Sequence, residues 1–183
     1  MPAISDPGAL IVTDALARGI LVVPVPAASA CVTALAVSGQ PTARWVFEGF
    51  LPVQKRQRKE RLESLAGEER TVIFYEAPHK LLATLRDLNE PFGPQRSITL
   101  CRELTKLHEE IFKTTLGGAL ERFEAEAPRG EFVLVRAGAD PAQKQEAEAP
   151  TLEETVEKAR SLVAGGQKAS AAAKAAAAQC PFG

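Results

Sequence analysis

The stretch Thr71-Val72-Ile73-Phe74-Tyr75-Glu76 constrains the fold most, because it is β-branched, aromatic and unbroken and therefore predicts a strand. Ala77-Pro78 ends this strand, and a helix is predicted from the spacing of the leucines that follow, Leu81, Leu82, Leu85 and Leu88. A strand that leads directly into a helix is the building unit of an α/β sheet, where ligands bind at the carboxyl ends of the strands. Tyr75 stands at such an end and has two interpretations, a ligand contact or a core aromatic with its hydroxyl at the rim.

The rest of the chain alternates in the same way. Further strands are predicted at Gly19–Pro24, Trp45–Phe50, Ser97–Cys101, Ile111–Thr115 (as an antiparallel partner of the one before) and Phe132–Val135. Further helices are predicted at Ala9–Leu16, Ala30–Val37, Gln54–Gly67 and about Gly118–Ala125. The continuous apolar run Gly19–Pro24 is typical of a strand buried on both faces.

The last part of the chain differs in composition. Residues 139–150 are rich in alanine, glutamine, glutamate and proline, which is typical of a linker. The capping box Thr151-Leu152-Glu153-Glu154 predicts the start of a short helix, and the alanine-rich segment Lys168–Gln179 predicts another. We expect this helical tail to be held weakly, since alanine buries little apolar surface.

Composition excludes some functions. The net charge of −1 provides no global basic field, so a nucleic-acid partner requires a local basic patch. The chain has three cysteines, Cys31, Cys101 and Cys180. Because their number is odd and no two of them form a C-x-x-C pair, we predict reduced thiols in a cytoplasmic protein. The sequence has no signal-like segment at its start and no apolar run of about 18 residues, so no membrane association is expected.

Two loops are candidate ligand cradles. Ile4-Ser5-Asp6-Pro7-Gly8 leads into a helix, where backbone N–H groups converge, and Pro26-Ala27-Ala28-Ser29 leads into the next. The alternative interpretation of the first loop is a plain connection between a strand and a helix.

A basic segment is a candidate nucleic-acid contact. Residues 54–61 include five cations, namely Lys55, Arg56, Arg58, Lys59 and Arg61. They predict either a contact to a phosphate backbone or a solvated helix face, and the sequence leaves both open.

Arg102, Glu103 and Lys106 form a second charged cluster. His108 has no second histidine at ligand spacing, so no metal site is predicted.

Five segments in order carry a family resemblance. They are Met1–Gly8, Pro24–Ala30, Phe74–Lys80, Arg102–Glu109 and Pro128–Phe132. Together they resemble the ribosomal RNA small-subunit methyltransferase I family, which belongs to the tetrapyrrole-methylase superfamily and 2′-O-methylates a cytidine in 16S rRNA. The resemblance implies an α/β fold with a mixed sheet and flanking helices, the cofactor S-adenosylmethionine, a partner in the small ribosomal subunit, and a homodimer.

The resemblance also assigns roles to residues. It places the cofactor against Ile4, Ser5, Ala28, Ser29, Ala30, Tyr75, Gly130 and Phe132. It leaves three candidates for a general base, Glu76, His79 and Glu103, without ranking them. It assigns the RNA backbone to Arg102, Lys106 and the basic segment Lys55–Arg61.

The chain departs from the family pattern in two respects. The second motif usually reads Pro-Gly-Pro-Ser, whereas this chain has alanine at 27 and 28, where positive φ is unfavourable. Family members also carry an N-terminal subdomain before the first motif, which implies that this chain is a fragment. We therefore expect a cofactor-subdomain remnant at 1–40, an α/β subdomain at 41–138, the linker at 139–150 and a truncated tail at 151–183. The alternatives are a tetrapyrrole methylase of the same fold and an inactive half-domain.

Overall fold

A computed structural model of the protein describes residues 3–140, 152–165 and 167–177. The chain divides into two compact units, residues 1–139 and residues 140–183. The first unit contains α1 (Gly8–Ala17), α2 (Ala30–Val37), β1 (Trp45–Phe50), α3 (Lys55–Ser64), β2 (Thr71–Glu76), α4 (Pro78–Phe92), β3 (Ser97–Arg102), β4 (Glu110–Thr115), α5 (Leu116–Ala125) and β5 (Phe132–Arg136).

The five strands form one mixed sheet in the order β1-β2-β5-β3-β4. The edge strand β1 pairs with β2 in parallel, and the other three pairs are antiparallel. The predicted strands at 45–50, 71–76, 97–101, 111–115 and 132–135 are therefore confirmed to within a residue, as is the antiparallel pairing of the third with the fourth. Strand β1 bulges between Phe47 and Gly49, where Gly49 takes a φ of +65°.

One face of the sheet is covered by three helices, and we call it the closed face. Val72, Phe74 and Leu134 point from the central strands into a cluster with apolar residues of α3, α4 and α5. The helical members Leu81, Leu85 and Leu88 are fully buried, because α4 repeats its leucines at helical spacing. The closed face forms the larger part of the core.

Among the described residues, α2 is the one helix packed on the opposite face, which we call the open face. Ile73, Cys101 and Val135 pack there against Cys31 and Leu35 of the helix. The rim of this smaller cluster is formed by partly buried apolar residues, namely Ile4, Phe47, Tyr75 and Leu104. Three of these four lie in segments that carry the sequence motifs.

The strand predicted at Gly19–Pro24 is wrong. Residues 20–29 have no regular secondary structure, and Leu21 and Val23 are 84% and 69% exposed. A continuous apolar run becomes a buried strand only if a neighbouring strand accepts its hydrogen bonds and a second layer covers it. In the described part of the chain, the sheet provides neither for this run.

The second unit contains two helices, α6 (Leu152–Ala164) and α7 (Ala169–Ala177). They confirm the helices predicted in the tail within the described ranges. The capping threonine Thr151, most of the linker and the end of the alanine-rich segment at Gln179 lie outside those ranges. Where the structure describes the chain, no helix combines the length and the apolar character needed to cross a membrane.

Candidate functional site

Four of the five motifs meet at one edge of the sheet. The register pairs Phe50 of β1 with Tyr75 of β2, and Glu76 of β2 with Phe132 of β5. Arg102 at the end of β3 pairs with the same Phe132 from the other side. The third, fourth and fifth motifs are therefore neighbours, and the second reaches them through the start of α2. This is the edge at which parallel β1 and β2 end, the usual ligand position in an α/β sheet.

Tyr75 connects the second motif to the third. The backbone N–H of Cys31, in the first turn of α2, donates to the Tyr75 hydroxyl at 3.0 Å. That hydroxyl satisfies one of the amide groups that a helix start leaves without an intrahelical partner. The ring packs edge-on against Phe47 and Phe50, with centroids 5.0 and 5.6 Å away.

The environment of Tyr75 also keeps its hydroxyl protonated. Burial, together with the Cys31 thiol nearby, raises the pKa of Tyr75 from 10.0 to about 12. At neutral pH Tyr75 therefore acts as a neutral hydrogen-bonding group. Ser29 lies at the N-cap of α2 as predicted, but its hydroxyl makes no cap bond and lies 3.2 Å from the Cys31 sulfur.

The first motif folds onto the edge strand. Ile4 packs on the rim of the open face, and the Ser5 hydroxyl would lie 2.9 Å from a Cβ built on Gly49. Ala3 and Ser5 both have positive φ, at 69° and 54°. Positive φ in a non-glycine residue costs about 1–2 kcal/mol, so the surrounding contacts must hold this turn in place.

The alanines of the second motif fit without strain. In the described part of the chain, positive φ outside glycine occurs at Ala3, Ser5, Glu103 and Thr105, and at neither Ala27 nor Ala28. Ala28 and Ala30 are exposed, on either side of Ser29. The loop therefore accommodates alanine at position 27, where the family pattern has glycine, and at position 28, where it has proline.

Glu103 ties the fourth motif to the fifth. Its carboxylate accepts the backbone N–H of Glu131 at 2.8 Å and the Lys106 ammonium at 3.0 Å, and Lys106 also pairs with the Glu131 carboxylate at 2.9 Å. The Glu131 N–H and the Lys106 ammonium lower the pKa of Glu103, so the group stays ionised. Gly130, with φ of +83°, leaves the space that Glu103 occupies, since a Cβ there would lie 2.6 Å from the Glu103 Cγ.

The other two base candidates differ in orientation and exposure. Glu76 is the next residue in β2, so its side chain points to the closed face, where it is 5% exposed. It accepts hydrogen bonds from the Ala77 N–H and the Thr84 hydroxyl, and Arg58 donates to the same hydroxyl at 2.7 Å. His79 is exposed in the first turn of α4. Glu76 therefore points away from Tyr75, whereas the His79 side chain is accessible at the start of α4.

The basic segment divides into two groups on α3. Arg58, with a side chain only 12% exposed, pairs with Asp87 at 2.5 Å, and Arg61 forms a two-pronged pair with Glu48 at 2.7 Å. These two arginines hold α3 to its neighbours. Three further cations are exposed, as Arg61 is, namely Lys55, Arg56 and Lys59; of these, Arg56 pairs with Glu60 at 2.8 Å and Lys59 with Glu63 at 3.8 Å, each within α3. They line a groove of about 670 Å³ against α4 that also contains Asp87 and Glu90.

The cations of the fourth motif are also internally paired. The Arg102 guanidinium donates to the Arg129 carbonyl at 2.8 Å and pairs with Glu110 at 3.3 Å. Lys106 is held by its two glutamates. Within residues 3–140, 152–165 and 167–177, no three histidine, cysteine, aspartate or glutamate side chains are arranged to hold a metal ion.

Two features of the site were missed from sequence. Phe47 and Phe50 form the aromatic contacts of Tyr75, and the glycine within the strand between them was the available signal, because an isolated glycine in a strand suggests a bulge. The Cys31 N–H partner of Tyr75 lies 44 residues away in sequence, and no local pattern predicts such a pairing.

Comparison with known proteins gives matches in sequence and in structure. The family model of the tetrapyrrole (corrin/porphyrin) methylases matches residues 1–120. A Synechocystis protein named ribosomal RNA small subunit methyltransferase I is 47% identical over 173 residues, which cover 94% of this chain and 61% of that protein. The chain spans 47% of the length of a second relative, which has the same name.

Solved structures match at lower identity. The methyltransferase CobJ is similar with a TM-score of 0.58 and 21% identity, over 75% of this chain and 61% of that chain. A uroporphyrin-III C-methyl transferase from Thermus thermophilus, solved with S-adenyl homocysteine, has a TM-score of 0.50 and 17% identity, over 73% and 61% of the two chains. These likenesses confirm the fold predicted from the motifs, and the sequence matches confirm the resemblance on which it was based.

Proposed function

The chain belongs to the tetrapyrrole (corrin/porphyrin) methylase family, and we propose that it is part of an enzyme that methylates the ribose 2′-hydroxyl of a cytidine in 16S rRNA. The names of its relatives at 47% identity support ribosomal RNA as the substrate class. The observation that carries the proposal is the meeting of the motifs around Tyr75, at one sheet edge and beside a face that a single helix covers.

The proposed methyl donor is S-adenosylmethionine, and the residues at this edge fit it. Phe50 is 57% exposed beside Tyr75, so the rim offers an apolar surface of the kind that an adenine ring requires. The exposed loop before α2 offers backbone groups next to that surface. We propose contacts from Ile4, Ser5, Ala28, Ser29, Ala30, Tyr75, Gly130 and Phe132.

Phe132 acts through its backbone in this proposal. Its ring is buried on the closed face, where it packs edge-on against Phe123 with centroids 5.6 Å apart. Gly130 has no side chain to offer either, so the fifth motif would contribute main-chain groups only. The side-chain contacts to the cofactor would then come from the first three motifs.

When bound, the cofactor would supply an electrophilic methyl group on a sulfonium sulfur that can depart as a neutral thioether, and the protein would have to take up the proton of the ribose hydroxyl that accepts the methyl group. The protein's task is to hold that hydroxyl about 3 Å from the methyl carbon and in line with the breaking bond. We propose that Glu76 and Glu103 position the loops of the site, because each already accepts two hydrogen bonds within the protein. Exposed His79 is then the remaining candidate to accept the proton.

The exposed cations of α3 are the proposed contacts to the RNA backbone. Helix α3 covers the closed face, but it begins just after the end of β1, so its first residues Lys55 and Arg56 lie near the sheet edge that carries the proposed cofactor site. Arg56 and Lys59 pair with Glu60 and Glu63 within α3 itself. Arg58, Arg61, Arg102 and Lys106 are ion-paired to other segments of the protein, and their proposed role is to fix the segments that approach the RNA.

The test is methyl transfer by the 183-residue chain. We would incubate it with cofactor labelled in the methyl group and with isolated small ribosomal subunits that lack ribose methylation, and locate the label by nuclease digestion. The expected result is label on a cytidine ribose. The control variant Tyr75→Phe removes the hydroxyl that accepts from Cys31 and should lower incorporation while the ring contacts remain.

The same assay separates the alternatives. Uroporphyrinogen III, offered in parallel, would take the label if the chain is a tetrapyrrole methylase. Calorimetry with the cofactor, in the absence of RNA, tests the inactive half-domain: no binding heat and no label in either substrate would contradict our proposal. The proposed homodimer follows from the resemblance alone, and light scattering would test it. The proposed cytoplasmic location rests on the reduced cysteines predicted from the sequence.

A further inference from the structure

The loop between β3 and β4, residues 103–109, holds one leucine inward and another outward. Leu104 packs on the rim of the open face, together with Tyr75 and Ile4. Leu107, three residues later, is 93% exposed, the largest exposed fraction among the described large apolar side chains. The loop therefore presents an apolar tip at the sheet edge where the motifs meet.

This loop is held rigidly. Glu103 and Thr105 have positive φ, at 49° and 63°, which is uncommon for residues with a side chain. The Glu109 carboxylate accepts the Thr105 N–H at 2.6 Å, and the Lys106 N–H donates to the Glu103 carbonyl at 2.9 Å. Strained backbone that the surrounding contacts fix in this way tends to occur at functional sites.

The charge around the tip is balanced rather than basic. The Lys106 ammonium, next to Leu107, is neutralised by the carboxylates of Glu103 and Glu131. A loop that contacts phosphate would keep its cation available, since phosphate contacts dominate salt-dependent affinity. A neutral, apolar tip suits contact with the faces of bases.

We propose that Leu107 is an apolar wedge that inserts into the RNA base stack beside the nucleotide to be methylated. This inference rests on the proposed function and adds how the substrate is presented. A nucleotide that leaves the stack can carry its ribose hydroxyl into a protein cleft, and apolar side chains of nucleic-acid-binding proteins commonly enter the step that is opened. The rigid loop keeps Leu107 in position before the RNA arrives.

The experiment uses the full chain and an RNA hairpin from the small subunit that carries 2-aminopurine next to the target cytidine. Fluorescence of this base rises when it unstacks. For Leu107→Ala we expect loss of the fluorescence rise and a decrease in kcat/KM of about tenfold to a hundredfold. Cofactor affinity, the melting temperature and the salt dependence of RNA binding should stay as in the wild type. Leu107→Met should restore most of both signals.

Val37→Ala is the matched control. Val37 is another exposed aliphatic residue, but it lies at the end of α2, where nearby Gln40 donates to Ser97 at the start of β3, the end of that strand opposite to Arg102. Its replacement should change neither signal. Leu107→Lys separates a base contact from a phosphate contact, because a wedge loses the fluorescence rise whereas a phosphate contact keeps it and binds with a steeper salt dependence.

Two results overturn the inference while the proposed function stands. The first is a Leu107→Ala variant that methylates and unstacks like the wild type. The second is a variant that loses activity on assembled subunits alone, which would assign Leu107 to a ribosomal protein. If the wild type and Val37→Ala both leave RNA unlabelled, the proposed function itself fails and the wedge fails with it.

Discussion

The two faces of the sheet are built from the same strands but carry different properties. The closed face is sealed by three helices, and its residues Phe74, Leu85 and Leu88 have no exposed surface. The open face has one helix, and Tyr75 and Leu104 form its partly buried rim. Because side chains alternate along a strand, β2 directs Phe74 into the core of the closed face and the next residue, Tyr75, to the rim of the open face. Residues that are neighbours in one strand therefore serve different purposes: those on the closed face mainly stabilise the fold, and those on the rim of the open face form the candidate site.

The largest effect should come from truncation of the closed face. Leu88→Ala removes a fully buried side chain, and the cavity left should lower the free energy of unfolding by about 2–5 kcal/mol. Leu16→Ala on α1, a helix without buried residues, should change it by no more than about 0.5 kcal/mol. Urea denaturation of both variants measures the contrast. Equal losses would show that α1 is packed as firmly as α4 and would break the comparison.

A smaller loss is expected when the polar network beneath Glu76 is broken. Thr84→Val keeps the shape but removes the hydroxyl that donates to Glu76 and accepts from Arg58, which should cost about 1–3 kcal/mol. Thr13→Val, in the exposed helix α1, is the control, since its hydroxyl bonds only to a carbonyl of its own helix among the described contacts. If both threonines are equally dispensable by denaturation, Glu76 is free of this network and returns as a base candidate.

On the open face, replacement of Tyr75 should have a mild effect on stability. Tyr75→Phe deletes the acceptor for the Cys31 N–H, and we expect a loss of about 0.5–1.5 kcal/mol. Comparing this loss of unfolding free energy with that of Thr84→Val shows which contact stabilises the fold more, the Tyr75 hydroxyl on the open face or the Thr84 hydroxyl on the closed face. A loss above that range would indicate that the rim is as tightly coupled as the closed face.

Tyr75 also makes stability depend on pH. Its folded pKa of about 12 lies above the value of 10.0 for a free side chain, so the unfolded chain releases this proton first. The free energy of unfolding should therefore fall as pH rises from about 10 to about 12, and less so in Tyr75→Phe. Tyr75 is the single tyrosine of the chain, so tyrosinate absorbance reports it directly. Absorbance that appears near pH 10 in the folded protein would contradict its burial at the rim.

The smallest effect on stability is expected at the outer surface of α3. Lys55→Gln should leave stability within about 0.5 kcal/mol, because Lys55 is exposed. If α3 contacts RNA, this substitution should reduce the slope of log affinity against log salt by about 0.7–0.9. Arg61→Gln is the counterpart, since it leaves Glu48, whose side chain is 6% exposed, without its cation and should destabilise the fold. A Lys55 variant with an unchanged salt slope would favour the solvated-face interpretation.

Local pattern predicted most of the fold. The strand Thr71–Glu76 and the helix Ala30–Val37 were placed to the residue, because their composition and boundaries are decided by neighbours in sequence. The run Gly19–Pro24 was misplaced for the opposite reason. Its composition suits a strand, but pairing depends on a partner that the run itself does not specify.

The sequence proposes the members of the candidate site but does not predict their arrangement. Period-two alternation already separates Tyr75 from Glu76, so their opposite faces could have been expected from sequence. The pairing of Arg61 with Glu48 and of Glu103 with the Glu131 backbone joins residues 13 and 28 positions apart. Such contacts depend on the tertiary fold, and for this reason the basic segment could not be divided into structural and exposed cations beforehand.

The close approach of Gly130 to Glu103 affects how a mutational scan of this protein should be interpreted. Any side chain at position 130 would collide with the Glu103 carboxylate arm and would also meet a positive φ. If every substitution at position 130 is depleted in such a scan, the loss can therefore be explained by the close contact between Gly130 and Glu103, without reference to any ligand. A double variant with a shorter residue at 103 and alanine at 130 that remains functional would show that the cause is steric and does not involve the cofactor.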